Sequence, residues 1–192
     1  MARPREFEMG AAIDGAMNAF WRFGYSATNL PALLRAMGLS RGSFYKAFGD
    51  KHAAYLAALD HYERKNIAAA AALLTDGEQG GGFERILALF QLAQEDRQET
   101  ARGCFVCNAM VEVAPKDEQV ADKTLCMTRK LEDALFDAIS DIDELKPLDA
   151  AARRRKAAIV TRFYIGSKAT GKTGRDNQDW AALLSDILNL SV

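Results

Sequence analysis

Residues 28–48, TNLPALLRAMGLSRGSFYKAF, place two short apolar-periodic runs on either side of Gly38, and no other stretch limits the fold as tightly. In the first run Leu30, Leu33, Leu34 and Met37 recur at helical spacing, with Pro31 tolerated because it falls in the first turn. Thr28 is the expected N-cap of that helix and Gly38 its stop. Ser40 caps the second run, RGSFYKAF, before Gly49-Asp50 restarts the chain with Asp50 as the next cap. Two short helices joined by a glycine turn have the layout of a helix-turn-helix, whose second helix enters the major groove of DNA with its N-terminal residues toward base edges.

On that reading each residue of the second helix has a role. Ser40 offers a hydroxyl to phosphate, and Gly42 lets the helix approach DNA with no side chain in the way. Arg41 reads guanine or clamps phosphate, Ser43 reaches a base, and Tyr45 and Lys46 suit backbone contacts. Lys51, in the first turn of the next helix, sets its charge beside a phosphate already drawn by that helix's N–H groups. Charge points the same way: residues 1–51 carry a net +3 and residues 52–192 a net −4, an asymmetry hidden in the total of −1.

The rest of the chain reads as helix. Ile13, Met17, Phe20 and Trp21 form one stripe between Glu6 and Phe23, and further helices are expected at 51–74, 83–98, 104–114, 117–140, 147–171 and 178–190. Alanine and leucine are abundant, prolines number four, and alternating β-branched runs are absent, so the composition is all-α. The clearest linker is TDGEQGGG at 75–82. No apolar run approaches the roughly 20 residues of a membrane span, and MARPREFEMG lacks the apolar core of a signal peptide. A cytoplasmic protein without a membrane partner is therefore expected.

From Arg3 to Tyr62 the sequence resembles the N-terminal domain of TetR/AcrR-type transcriptional regulators, carried by FWRFGYSAT and LLRAMGLSRGSFYKAFGDKHAAYLAAL. RPREFE at the start and RGCFVCNAMVEVAP at 102–115 resemble one subgroup of these regulators. The resemblance implies a helix-turn-helix DNA-binding domain at 1–50 and a helical effector-binding and dimerisation domain at 51–192. It also implies phosphate contacts from Tyr45 and Lys51, a groove-facing end at Arg41, Gly42 and Ser43, and Thr28 as a cap near the DNA backbone. Leu34 and Met37 depart from the family's usual alanines, which bears on helix packing rather than on DNA contact.

The implied partners are a double-stranded operator, a second copy of the chain and a small-molecule effector, with no cofactor and no metal. One helix-turn-helix reads few base pairs, so such proteins dimerise over two half-sites roughly 34–36 Å apart, or a multiple of that. In similar regulators the last two helices form the dimer bundle, and here Ile159, Phe163, Leu183, Leu184, Ile187 and Leu188 could supply the seam or close an intramolecular core. Phe90, Cys104, Phe105, Met110, Met127, Phe136 and Tyr164 are candidates to line an effector site, although apolar residues at helical spacing also serve as plain core. Arg153, Arg154, Arg155 and Lys156 read as a solvated face or a dimer rim.

Two enzyme readings compete. GSKATGKT at 166–173 has the spacing of a phosphate-binding P-loop, with IVTRFYI upstream passing for its strand. Too few residues follow Thr173 for the crossovers and acidic metal ligand that fold needs, so the glycines are expected to end a helix. Cys104 and Cys107 form a C-x-x-C without the strand–helix setting of an oxidoreductase or two further zinc ligands. Cys104, preceded by Arg102 and a helix start after Gly103, remains a candidate redox sensor; the alternative is a buried thiol acting as a small apolar residue. A helical protein-binding module without DNA affinity is a third possibility, left open by the small positive charge of the head.

Overall fold

The computed structural model describes residues 3–100, 102–170 and 178–190, and every regular element among them is helical. In chain order the α-helices are α1 (Arg3–Phe23), α2 (Leu30–Met37), α3 (Arg41–Phe48), α4 (Lys51–Tyr62), α5 (Ala68–Thr75), α6 (Gly82–Thr100), α7 (Phe105–Glu112), α8 (Glu118–Ser140), α9 (Ala150–Thr170) and α10 (Trp180–Leu188). The long alanine-rich helix expected at 51–74 is interrupted by a π-helical stretch, Glu63–Ile67. Within the expected linker, Gly77–Gln79 form a 3₁₀ turn and Gly82 already opens α6.

Two compact units result, one made of Met1–Lys65 with Phe105–Leu125, the other of Asn66–Cys104 with Cys126–Val192. Their boundaries differ from the 1–50 and 51–192 division expected from the motif. The reason lies in the first unit's core: Phe20 meets Tyr55 edge-on at 5.0 Å and Trp21 meets Tyr62 at 5.2 Å, so α4 packs with α1. Phe105, 1% exposed, then sets its ring against Trp21, Tyr55 and Tyr62. Edge-to-face pairs of this kind contribute about 0.5–1.5 kcal/mol each beyond the area they bury. The N-terminal segment thus completes its core with a helix from much later in the chain.

Helix α1 also touches α2, and Gly15 makes that approach possible. A Cβ built on Gly15 would lie 2.0 Å from the Ala36 carbonyl oxygen, closer than any real side-chain atom stands. In the second unit Leu74, Ile86, Phe90, Leu135, Ile139, Val160, Leu184 and Leu188 are buried together. Arg85, 3% exposed, donates to the carbonyls of Leu74 and Gly81 and pairs with Asp141, which satisfies a guanidinium that burial would otherwise penalise.

Candidate nucleic-acid interface

The turn between α2 and α3 follows directly from its residues. Gly38 adopts φ +64°, a left-handed conformation that glycine takes without a Cβ clash, and its N–H bonds back to Arg35 and Leu34 carbonyls. Ser40 then caps α3, its Oγ accepting from the Ser43 N–H at 3.2 Å and lying 2.9 Å from the Ser43 hydroxyl. One residue fixes α3 to the body of the unit: Phe44 is fully buried, while Arg41, Gly42, Ser43, Tyr45 and Lys46 are all exposed. A single buried anchor in an eight-residue helix leaves the remaining faces available to a ligand. Nothing stands within 4 Å of a Cβ placed on Gly42, so the start of α3 is open to close approach. The Arg41 guanidinium lies 5.8 Å from the Tyr45 ring centroid, which brings a forked donor and a phenol hydroxyl to the same exposed flank.

Thr28 does not take the place expected of it. It is 1% exposed, and its hydroxyl donates to the Gly24 carbonyl at 2.6 Å, satisfying the C-terminal end of α1. The cap of α2 is the next residue, Asn29, whose Oδ1 accepts from Ala32 N–H at 2.9 Å. Both residues are good caps by type. Burial of the threonine decides between them and removes Thr28 from any surface that meets DNA.

Lys51 lies at the N-terminus of α4, capped by Asp50, and its ammonium sits 4.4 Å from the Tyr25 ring centroid. Burial pushes the Lys51 ammonium below its usual range, and nearby Glu112 partly opposes that shift. Glu112, the last residue of α7, has a second task. Its two carboxylate oxygens accept the backbone N–H groups of Tyr25 at 2.9 Å and Ser26 at 2.7 Å, holding the turn that leads into α2. Burial works against the charged carboxylate, but those hydrogen bonds and the Lys51 charge together hold it below the usual carboxylate range. Two further ties join the same segments: His52 Nε2 lies 2.6 Å from Asp117 Oδ2, and Lys123 pairs with Asp60. Nothing in the sequence marks Glu112 or Asp117, because their partners lie 86, 87 and 65 residues away in the chain.

The other expected residues divide between the units. Phe105 and half-buried Met110 belong to the first; Phe90, Cys104, Met127, Phe136 and Tyr164 belong to the second. Phe90 stacks on Phe163 and meets Tyr164 and Trp180, each at 5.2 Å, whereas Phe136 lies under the Arg154 guanidinium at 4.0 Å. A cleft of 690 Å³ opens in the second unit beside Phe83, Ile142, Ala182, Ser185 and Leu190, and none of the expected effector residues lines it. Of the expected dimer seam, Ile159 is 53% exposed and Phe163, Leu183 and Ile187 are half-buried. Leu184 and Leu188 are fully buried in the chain's own core, one helical turn apart on the face of α10 that carries Trp180, and so cannot form the seam. Cys104 is buried, Cys107 half-buried and Cys126 exposed, with no disulfide among them. Ile159–Ile165 are helical rather than a strand, Gly166–Thr170 complete α9, and Gly171, Lys172 and Thr173 of the P-loop-like spacing lie outside the described residues. No described helix is long and apolar enough to cross a membrane.

Comparison with known proteins agrees with this geometry. Residues 12–58 match the family described as bacterial regulatory proteins, tetR family. The chain is 31% identical over 137 residues to the uncharacterized HTH-type transcriptional regulator YezE of Bacillus subtilis (strain 168), an alignment spanning 71% of this chain and 70% of that protein. It is 32% identical over 123 residues to the HTH-type transcriptional repressor ComR of Escherichia coli (strain K12), spanning 62% of this chain and 58% of the repressor. Among solved structures, the reduced form of E. coli NemR shares the fold with a TM-score of 0.80 at 20% identity, over 95% of this chain and 96% of that one. A cysteine mutant of the TetR family regulator CifR, complexed with 26-base-pair operator DNA, does so with a TM-score of 0.78 at 22% identity, over 95% and 96%. The curated relatives are transcriptional regulators and not enzymes, which sets aside both the nucleotide-hydrolase and the thiol-oxidoreductase readings. An exposed reading helix anchored by Phe44, together with a relative matched over most of both chains, leads to one conclusion: the chain belongs to the TetR family and is a helix-turn-helix transcriptional regulator.

Proposed function

We propose that the protein is a cytoplasmic homodimeric repressor that binds a palindromic operator and is released by a small-molecule or electrophile signal. The observation that carries the DNA-reading part is the exposed row of Ser40, Arg41, Gly42, Ser43, Tyr45 and Lys46 above a buried Phe44. Arg41 and Ser43, at the N-terminal end of α3, are the base-reading residues; Tyr45, Lys46 and Lys51 neutralise or bond phosphates. Ile159, Phe163, Leu183 and Ile187 keep apolar surface outward on the last two helices, which supports pairing of two copies there. Repression is favoured by the likeness to the repressor ComR, and operator binding by the likeness to CifR in its DNA complex.

Selection from a random duplex pool tests this reading, followed by salt titration of the enriched site. The expected result is a palindrome, with Arg41→Ala relaxing specificity at one position and Lys46→Ala weakening all sequences alike while lowering the salt slope by about 0.9. No enrichment at low salt would overturn it. A signal acting through Cys104 is a narrower version, supported by its position immediately before α7 and by the likeness to NemR, whose solved form is described as reduced. If Cys104→Ser left oxidant-induced release from DNA unchanged, that version would fail.

A further inference from the structure

A lysine ammonium rides on a flexible four-carbon stem, so a phosphate contact made by an unrestrained lysine must first fix several rotors. Lys51, the first residue of α4, is half-buried, and its ammonium lies 4.4 Å from the centroid of the Tyr25 ring. That ring is itself seated: it meets Tyr55 at 4.8 Å and Phe20 at 6.0 Å, both of them 1% exposed. The Tyr25 backbone is fixed as well, since its N–H donates to Glu112 at 2.9 Å. A ring face attracts a cation through its quadrupole, yet it accepts none of the three N–H donors in line. The ammonium is therefore held while its donors stay unclaimed.

The other way to hold a lysine is with a carboxylate, and one is near. Glu112 stands close enough for its charge to bear on Lys51, but the two make no ion pair; both glutamate oxygens accept from Tyr25 and Ser26 instead. A carboxylate on the ammonium would occupy the donors that a phosphate needs and would repel the phosphate itself. An aromatic face does neither. We infer that Tyr25 is the positioning residue for the phosphate contact of Lys51, its ring keeping the ammonium in place at the N-terminus of α4 before DNA arrives. A cation held in this way loses less freedom when it binds, which favours the complex. The inference rests on the assignment of Lys51 to a phosphate made above, and it names the residue that sets the geometry of that contact.

The test uses the purified full chain and the duplex enriched by selection, with affinity read by fluorescence anisotropy well below the Tm of every variant. Tyr25→Leu should weaken binding about fivefold or more, one lysine acting in each half-site, whereas Tyr25→Phe keeps the ring and should stay within about twofold of wild type. A double-mutant cycle separates positioning from packing: in a Lys51→Met background Tyr25→Leu should change affinity by less than about twofold, because no cation remains for the ring to hold. Pentafluorophenylalanine in place of Tyr25 keeps the shape of the ring and reverses the charge of its face. It should bind DNA as weakly as Tyr25→Leu while melting like Tyr25→Phe, and it decides the matter if the leucine variant does not fold. Equal weakening by Tyr25→Leu in both backgrounds, or equal affinity of the phenylalanine and pentafluorophenylalanine proteins, would make Tyr25 a packing residue and overturn the inference. Absence of an upfield ring-current shift on the Lys51 ε-protons, measured by NMR without DNA, would overturn the ring contact alone. Unchanged affinity and salt slope in Lys51→Met would instead refute the phosphate assignment, and the positioning role would fall with it.

Discussion

Replacing Glu112 with alanine removes the carboxylate that holds the turn between α1 and α2. Two hydrogen bonds are lost, from Tyr25 N–H at 2.9 Å and Ser26 N–H at 2.7 Å. Charge-assisted bonds contribute about 1.5–3 kcal/mol each when fully shielded. Here the glutamate side chain is exposed and both released N–H groups can turn to water, so solvent screening cuts the pair to about 1–2 kcal/mol. In a chain of this size that corresponds to a fall in Tm of roughly 2–8 °C. The second consequence is local, because the turn leads directly into α2 and sets where α3 presents Arg41. Operator affinity should therefore fall by more than the stability loss accounts for at 25 °C, where the variant is still folded. Differential scanning calorimetry and fluorescence anisotropy on a labelled operator measure the two effects. Glu112→Gln keeps one acceptor and should land between wild type and alanine on both. A Tm within 1 °C of wild type for Glu112→Ala, with unchanged operator affinity, would refute the view that this carboxylate organises the reading head.

Three further outcomes are expected. Phe44→Ala, which empties the one buried position of α3, should cost about 3–5 kcal/mol and abolish operator binding, as judged by urea denaturation and gel shift. Gly15→Ala should destabilise the protein by at least about 2 kcal/mol, since its Cβ would fall 2.0 Å from the Ala36 carbonyl and neither backbone can move freely; normal urea unfolding would show that α1 and α2 stand farther apart. Burial works against ionised Glu112, Asp117 and Asp14, but their hydrogen-bond and charge partners hold all three below the usual carboxylate range. Groups depressed on folding stabilise the native state above their unfolded values, about pH 4, and lose that contribution as pH falls through the folded values. Stability should thus be flat in these groups near neutrality and drop in acid, with a shallower acid limb in Asp117→Asn; an identical limb would contradict it.

The local code of the reading head is legible because each signal acts within four residues. Gly38 in a left-handed turn, Ser40 bonding Ser43, Asp50 bonding Ala53 and the inward Leu33 and Met37 all follow from short-range sterics and hydrogen bonding. Thr28 and Asn29 show where that code is degenerate: two adjacent residues can each cap, and only the burial of one against α1 selects the other. Periodicity similarly identifies Leu184 and Leu188 as inward without saying whether inward means toward another copy or toward the chain's own core; contact with the α6 and α9 cluster decides. Glu112 and Asp117 are illegible for a different reason. A carboxylate on a helix end is ordinary in sequence, and it gains meaning from what tertiary packing brings to it.

The reading head's compact unit is assembled from two separated stretches of chain, and this constrains how the gene can be cut and joined. A fragment ending at Lys65 would carry every side chain proposed to face DNA yet lack Phe105 for its aromatic core and Glu112 for its turn. Grafting this operator specificity onto another regulator therefore takes two splice points rather than one. Natural recombination with a single crossover in the linker would leave a head mated to a foreign α7, and would succeed only between partners that keep an aromatic residue and a carboxylate in those two places.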